Sequence, residues 1–359
     1  MKIDLVLETS DTSLYLVDLP QPIEGFEHFI CSWILEDRAK ETVSVVDCGP
    51  RSTIPVLDGA LRSLKLRPNR LLLTHVHLDH GGGAGYLCRL YPDMTVTAHQ
   101  RGHRHLVDPE RLWEGSLLVL GDTATSYGKP LPVPEKSLNY ALSDIFTIET
   151  PGHAHHHLSF LYSGDRRILF AGEVAGVCAD RMVNRWHSDK TKKAPYLRPA
   201  AAPPFRIDIG RESLRSVLKL DHDLFCPGHY GPVDDGATFM KKALDQLDLW
   251  EETISLARED EDPDALVDHL IKTDPALKPI EEFLPEVASR ERNFMTNSVM
   301  GIMKDISDKI LKGDILYAES HSWRNGGNDI VRNDSGRYRP GRERQDKSGR
   351  SGTFHTNRS

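Results

Sequence analysis

Apolar residues in the first half of the chain come in short runs whose period changes along the way. Residues 3–7, 13–17, 28–35 and 43–46 alternate or run apolar over a strand's length, which predicts an opening set of β-strands. Ile54, Leu57, Leu61 and Leu64 recur at helical spacing and predict a helix over residues 53–65. Leu71-Leu72-Leu73 reads as a short buried strand, residues 85–90 as the start of another helix, and residues 94–98 as a strand. Pro109, Gly115, Gly121, Gly128, Pro130, Pro132 and Pro134 interrupt residues 101–143, so short helices and loops are expected there. Strand patterns return at residues 145–148, 158–162, 168–171 and 224–226. Ser163-Gly164-Asp165 supplies a hairpin turn between two of them. A helix over residues 211–220 places Leu214, Val217 and Leu218 on one face. Interleaved strands and helices make residues 1–235 a mixed α/β unit.

From about residue 235 the strand pattern stops. Phe239, Leu244, Leu247, Trp250, Ile254 and Leu256 predict a long helix, and helical segments follow around residues 265–271, 280–284 and 292–311. Asp262-Pro263-Asp264 and Leu284-Pro285 punctuate them, since proline suits a first turn and breaks a helix interior. Residues 236–318 therefore read as an all-helical C-terminal extension. Residues 319–359 are rich in Gly, Arg, Asn and Ser and nearly free of aliphatic side chains, and a disordered, solvated tail is expected.

The candidate chemistry lies where the strands end. Residues 74–83 read Thr-His-Val-His-Leu-Asp-His-Gly-Gly-Gly, directly after the Leu71–Leu73 run. In extended backbone, residues two apart share a face, so His75 and His77 can point at one ion. The glycines permit a tight reversal that sends Asp79 and His80 toward a second. Imidazole and carboxylate donors suit Zn, Fe or Mn better than the oxygen-preferring Ca and Mg. Three further candidates also follow strand patterns: His153 in Pro151-Gly152-His153, Glu173 after Gly172, and His229 in Pro227-Gly228-His229. Loops at the ends of rigid strands can bring together residues far apart in sequence.

This ordered set, a His-x-His-x-Asp-His motif, then a lone His, a carboxylate and a final His, resembles the metallo-β-lactamase superfamily over about the first 235 residues. Asp47, in Val45-Val46-Asp47-Cys48-Gly49, matches an acidic residue that the family carries just upstream of its metal loop. The resemblance implies an αββα sandwich, two sheets face to face with helices outside. It implies one divalent ion on His75, His77 and His153 and a second on Asp79, His80 and His229, with Zn first and Fe or Mn as alternatives. Glu173 stands where the family usually has an aspartate bridging both ions, a departure that leaves one or two ions open. Relatives often carry histidines near the third motif that pack against the sheet, so His156 and His157 read as supporting residues and His155 as a loop residue. His99, His103, His105, His187 and His222 are not assigned to the site. Glyoxalase II-like thioesterases in the family use helical additions to cover the cleft and bind substrate; a purely stabilising or dimerising role for the extension stays open.

The implied chemistry is metal-assisted hydrolysis. Coordination lowers the pKa of water toward ~7, so that hydroxide can attack an ester, lactone, thioester or amide. Asp79 is placed to orient that hydroxide; Tyr230, next to His229, reads equally as a hydrogen-bond donor to an oxyanion and as a structural tyrosine. Lactonase relatives place a tyrosine three residues after the bridging carboxylate, where this chain has Gly176. Two alternatives remain: a mononuclear iron oxygenase of the persulfide dioxygenase type, using His75, His153 and Glu173, and a non-catalytic metal-binding protein.

Composition narrows partners and compartment. A net charge of −8 speaks against nucleic acid as the main partner, and no apolar stretch approaches a membrane span. Acidic residues inside the N-terminal apolar run argue against a secretory signal. Five cysteines without Cys-x-x-Cys spacing read as reduced buried thiols, so a cytoplasmic protein is expected. A small-molecule substrate is the expected partner, with a homodimer left open. Residues 181–206 carry Arg181, Arg185, Lys190, Lys192, Lys193, Arg198 and Arg206 against Asp189 alone, with Trp186 and Tyr196 among them. This segment reads equally as a lid selecting an anionic substrate and as a solvated surface loop that only connects.

Overall fold

The computed structural model describes residues 2–139, 142–180, 195–258 and 261–312. The expected tail and the most basic part of the proposed lid, including Arg185, Trp186 and His187, lie outside these residues.

Seven strands form the first sheet in sequence order: β1 (Ile3–Glu8), β2 (Thr12–Asp18), β3 (Cys31–Asp37), β4 (Thr42–Val46), β5 (Arg70–Leu72), β6 (Thr95–Thr97) and β7 (Leu138–Asn139). The first four are antiparallel and the last three join in parallel, so each later connection is a crossover. Helix α1 (Ile54–Leu64) crosses from β4 to β5, and α2 (Leu78–Gly81) with α3 (Ala84–Leu90) from β5 to β6. Helices α4 (Gln100–Val107), α5 (Glu110–Leu120) and α6 (Asp122–Tyr127) fill the proline- and glycine-punctuated stretch before β7.

The second sheet begins with β8 (Ile145–Glu149), β9 (Leu158–Ser163) and β10 (Arg167–Gly172). Two short strands, β11 (Val177–Ala179) and β12 (Tyr196–Arg198), then pair with each other outside it. Helix α7 (Ile207–Leu218) leads to β13 (Leu224–Pro227), which returns parallel to β10 and gives the order β13-β10-β9-β8. The β11/β12 pair was not expected, because each strand is only three residues long.

Side-chain alternation decides how the layers stack. Leu14, Leu16, Trp33, Leu35 and Val46 of the first sheet meet Phe160, Tyr162, Ile168, Phe170 and Cys226 of the second in one buried cluster. Their neighbours one residue along, Ile34, Val45, Leu169, Ala171 and Phe225, face outward and pack with the helices. The result is the expected αββα sandwich. Trp33 Nε1 donates to the carbonyl of Pro227 at 3.2 Å, tying β3 to the strand end that precedes His229. All five cysteines are buried and none is disulfide-bonded. Among the described residues no helix is long and apolar enough to cross a membrane.

Three helices close the described chain: α8 (Gly236–Ser255), α9 (Pro263–Thr273) and α10 (Pro285–Lys312). The segment expected as a helix at 280–284 is a 3-10 turn, Lys278–Glu282, hemmed in by Pro279 and Pro285. Helix α10 starts at Pro285, upstream of the apolar pattern, because its polar first turns are buried: Arg290 is 3% exposed and Glu291 0%. Further along, Ser298 Oγ donates to the carbonyl of Pro199 at 3.0 Å and accepts from Ala201 N at 3.2 Å. At Gly301 a Cβ would overlap the carbonyl of Ala201. Gly301→Ala is therefore expected to destabilise the protein by about 1–3 kcal/mol through overpacking. That outweighs the ~1 kcal/mol by which alanine favours a helix. Urea unfolding checks it; an unchanged or higher midpoint would refute the close packing.

Candidate metal centre

Five strand ends converge at one edge of the sandwich. Asp47 follows β4 in the left-handed conformation (φ 53°), which its short side chain tolerates. Its carboxylate accepts from Thr74 N at 2.8 Å and Thr74 Oγ1 at 2.7 Å, and lies 3.0 Å from His80 Nδ1. Thr74 Oγ1 in turn lies 3.0 Å from His75 Nδ1. Since Thr74 donates to Asp47, it accepts from His75. Both rings thereby present Nδ1 to an outer oxygen and turn Nε2 inward, the orientation that outer partners impose on metal-binding histidines.

The other candidates are held in the same manner. His153, after β8, places Nδ1 3.0 Å from the carbonyl of Ala200. His229, after β13, places Nδ1 3.2 Å from the carbonyl of Phe29 and stacks on the Phe29 ring, with centroids 4.2 Å apart. Glu173 follows Gly172, whose φ of 56° turns the chain out of β10. Its backbone N–H donates to His157 Nε2 at 3.0 Å, while His157 Nδ1 meets Thr150 Oγ1 at 2.8 Å. His157 is buried, and burial pushes its pKa well below the ordinary value, so it stays neutral and holds Glu173 in place. His156 is pushed down to about 3, also chiefly by burial, and accepts from Val76 N at 3.4 Å.

Asp79 and His80 reach the centre by a different route from the one expected. They sit on the helical turn α2 rather than in a glycine reversal. Gly82 and Gly83 have negative φ; a Cβ on them would strike the carbonyl of Leu78 and the side chain of Ile54. These glycines serve close packing, not backbone handedness.

The donor atoms face one another. His153 Nε2 is 3.2 Å from His75 Nε2 and 3.0 Å from His77 Nδ1. Glu173 Oε2 lies 3.0, 3.4 and 3.6 Å from Nε2 of His153, His75 and His80, and its Oε1 lies 3.5 Å from His229 Nε2. Asp79 Oδ2 is 3.5 Å from His80 Nε2 and 3.8 Å from His229 Nε2. Ligands ~2.0–2.1 Å from a tetrahedral ion stand about 3.3 Å apart. The atoms fall into three mutually close groups: His75, His77 and His153; His75, His80 and Glu173; Asp79, His80 and His229. Glu173 lies between the two histidine sets, so the extra methylene does not carry it out of the centre.

Two observations fit a cation here. His80 Nε2 is buried with no hydrogen-bond partner. Burial alone would lower the His80 pKa, yet Asp79, Asp47 and Glu173 hold it up at about 10, a field that calls for positive charge. Burial would likewise raise Glu173, but His153 and His229 outweigh it and hold the carboxyl well below its ordinary range. His75 and His77 are pushed well down, first by burial and then by neighbouring imidazoles, leaving bare nitrogens.

Other expectations are corrected. Tyr230 is 1% exposed and does not line the cavity; its phenol donates to Glu291 and accepts from Arg290 Nη2 at 2.5 Å, so it is not free to meet an oxyanion. Arg198 is no lid charge: it is 3% exposed, with Nε 2.5 Å from Glu291 Oε2. Tyr196 is fully buried and donates to the same carboxylate at 3.0 Å. His99 caps α4 by accepting from Arg101 N, His103 Nε2 meets the carbonyl of Ala98, and His222 Nδ1 that of Leu220.

A cavity of about 430 Å³ opens onto His77, Asp79, His153, Glu173 and His229. Helix α10 supplies Phe294, Asn297 and Ser298 to its wall, so the extension shapes the space above the donors. Helix α5 also lines it and includes Arg111, while Arg104 and His105 come from α4. Residue patterns did not single these out: α5 has no buried residue, and α4 carries few apolar side chains.

Residues 28–229 match the family model described as the metallo-beta-lactamase superfamily. The hydroxyacylglutathione hydrolase of Gloeobacter violaceus is 32% identical over 148 residues, 41% of this chain and 50% of that protein. That of Pectobacterium carotovorum is 33% identical over 138 residues, 37% and 45% of the two chains. The chain thus spans about half the length of the curated relatives it matches. A solved archaeal metallo-beta-lactamase superfamily protein from Sulfolobus tokodaii superposes with a TM-score of 0.56 at 19% identity, over 80% of this chain and 98% of that one. A metallo-beta-lactamase family protein from Thermus thermophilus gives 0.53 at 22%, over 82% and 93%. At these identities the likeness establishes the fold.

Proposed function

The chain belongs to the metallo-beta-lactamase superfamily, and from that membership we propose that it is a metal-dependent hydrolase acting on a thioester or closely related acyl bond. The observation that carries the reading is the convergence of seven donors, with the far nitrogen of four imidazoles tied to an oxygen acceptor. His75, His77 and His153 would hold one divalent ion, Asp79, His80 and His229 a second, and Glu173 would be shared. Such ions, Zn first, supply Lewis acidity toward a carbonyl and lower the pKa of water toward ~7. Thioesters are favoured among acyl bonds because the curated relatives are named for an acyl derivative of a thiol, hydroxyacylglutathione.

The protein's own groups then have distinct tasks. Asp79 is the most exposed of the acidic donors and lines the cavity, so it can orient an attacking water and accept its proton. Phe29 and Phe294 stack 5.4 Å apart beside His229 and keep bulk solvent from that side of the donors. The carbonyls of Ala200 and Phe29 hold His153 and His229 against rotation as the substrate enters.

Metal analysis of protein purified without added metal, run beside a panel of thioesters, esters and lactones, tests the proposal. About two equivalents of Zn or Mn with thioester turnover removed by chelation are expected. One equivalent of iron with oxygen consumption, or no turnover across the panel, would overturn it.

A further inference from the structure

The cavity above the donors is lined by two chemically unlike sets of side chains. One is apolar: Leu112 and Leu120 of α5, Tyr127 of α6 and Phe294 of α10. The other is cationic: Arg104, His105 and Arg111. Arg104 Nε donates to His105 Nε2 at 3.3 Å. Burial first, then the charges of Arg104 and Arg111, lowers the His105 pKa. Neither guanidinium forms an ion pair among the described residues. The nearby acids have other tasks: Glu110 pairs with Lys129 at 2.6 Å, and Asp108 accepts from the start of α5. Arg104 and His105 also border a second cavity, of about 610 Å³, that includes His77, His153 and Arg101. Two guanidiniums that line one cavity with the donors, neither ion-paired among the described residues, beside apolar side chains of the same cavity, are an arrangement that an anionic ligand completes.

We propose that this site selects an acyl substrate with two unlike ends: an apolar chain against Leu112, Leu120 and Phe294, and a carboxylate-class anion held by Arg104 and Arg111. The scissile carbonyl then lies over Asp79 and His153, between the two. Both side chains that bind the anion are exposed, so the selectivity resides in α4 and α5 and not in the buried Arg198. The inference rests on the hydrolase reading for its reaction and deepens it by naming the substrate class.

The test compares S-octanoyl-3-mercaptopropionate, which is anionic, with S-octanoyl-N-acetylcysteamine, which is neutral, in the parent and in Arg104→Gln/Arg111→Gln. The ratio of kcat/KM, anionic over neutral, is expected to fall about tenfold to thirtyfold in the double variant, chiefly through KM for the anionic thioester. Arg215→Gln, an exposed change on α7 at a residue paired with Glu212, is expected to leave the ratio as it was. The same pair of ligands as non-hydrolysable thioethers, titrated by calorimetry, reads the charge preference without turnover. Absence of hydrolysis with a preserved anionic preference would refute the hydrolase and keep the subsite. Equal affinity for both thioethers, or a ratio that the double variant does not move, would overturn the subsite.

Discussion

Replacing His77 with alanine is expected to lower turnover by about a thousandfold or more and to reduce the metal content of the purified protein. The expectation follows from position: His77 Nδ1 lies 3.0 Å from His153 Nε2, inside one of the three convergent donor groups. A lost ligand costs more than a lost outer partner, which typically costs 10–100-fold in metal affinity or activity, by order of magnitude. Asp47→Asn supplies that milder comparison. Asparagine can still accept a hydrogen bond from His80 but lacks the charge, so a roughly 10–100-fold loss is expected there. His99→Ala should leave both readouts unchanged, because His99 caps α4 and touches none of the donors. Metal content is measured on dialysed protein, with circular dichroism confirming the fold. Full metal content in the His77 variant would remove His77 from the ligand set.

The second large effect concerns stability. Glu291 is fully buried in α10, and its two oxygens engage Arg198, Tyr196, Tyr230 and Arg290. Removing one carboxylate strands two guanidiniums that are each 3% exposed, and breaking a buried pair of this kind typically costs ~3–5 kcal/mol. Glu291→Ala is expected to fall in that range by urea unfolding. Glu291→Gln, which keeps the shape and loses the charge, should fall below it. The pH dependence carries its own sign. Burial would raise the Glu291 pKa, but Arg198 and Arg290 outweigh it and hold the carboxyl at about 2, below its ordinary 4.5. A folded-state pKa that is depressed stabilises the protein above the unfolded value. That stabilisation is lost as pH falls from 4.5 toward 2. The gap between the parent and Glu291→Gln should therefore be widest near neutrality and narrow below pH 4.5. A gap independent of pH would show that the charge contributes nothing.

What could be read along the chain was local. His75, His77, Asp79 and His80 are close in sequence, and His153, Glu173 and His229 each follow a periodic apolar run, so strand ends identified them without any knowledge of how the sheets pack. The β11/β12 pair left no such trace, being too short for a period. The Glu291 network was illegible for the opposite reason. A glutamate flanked by Arg290 and Arg292 looks like a solvated helix face, and only the packing of α10 against β12 and the His229 loop reveals that it is buried. Adjacency to His229 leaves a chemical and a structural role for Tyr230 equally open, and only its φ of 69° and the phenol's place in the network separate them. Arg104 and Arg111 were passed over because surface arginines are common. Their meaning comes from the cavity they share with the donors.

The attachment of α10 has a consequence for how this protein is made. Every candidate donor lies upstream of Gly236, where α8 begins, and is synthesised before Glu291. Arg198 and the loop that fixes His153 through Ala200 meet their partners, Glu291 and Ser298, only when α10 arrives. A chain not yet extended to α10 thus carries the full set of candidate donors without that wall of the cavity and without the carboxylate that pairs with Arg198. The cavity takes its final shape only when the last long helix docks and adds Phe294, Asn297 and Ser298 to its lining.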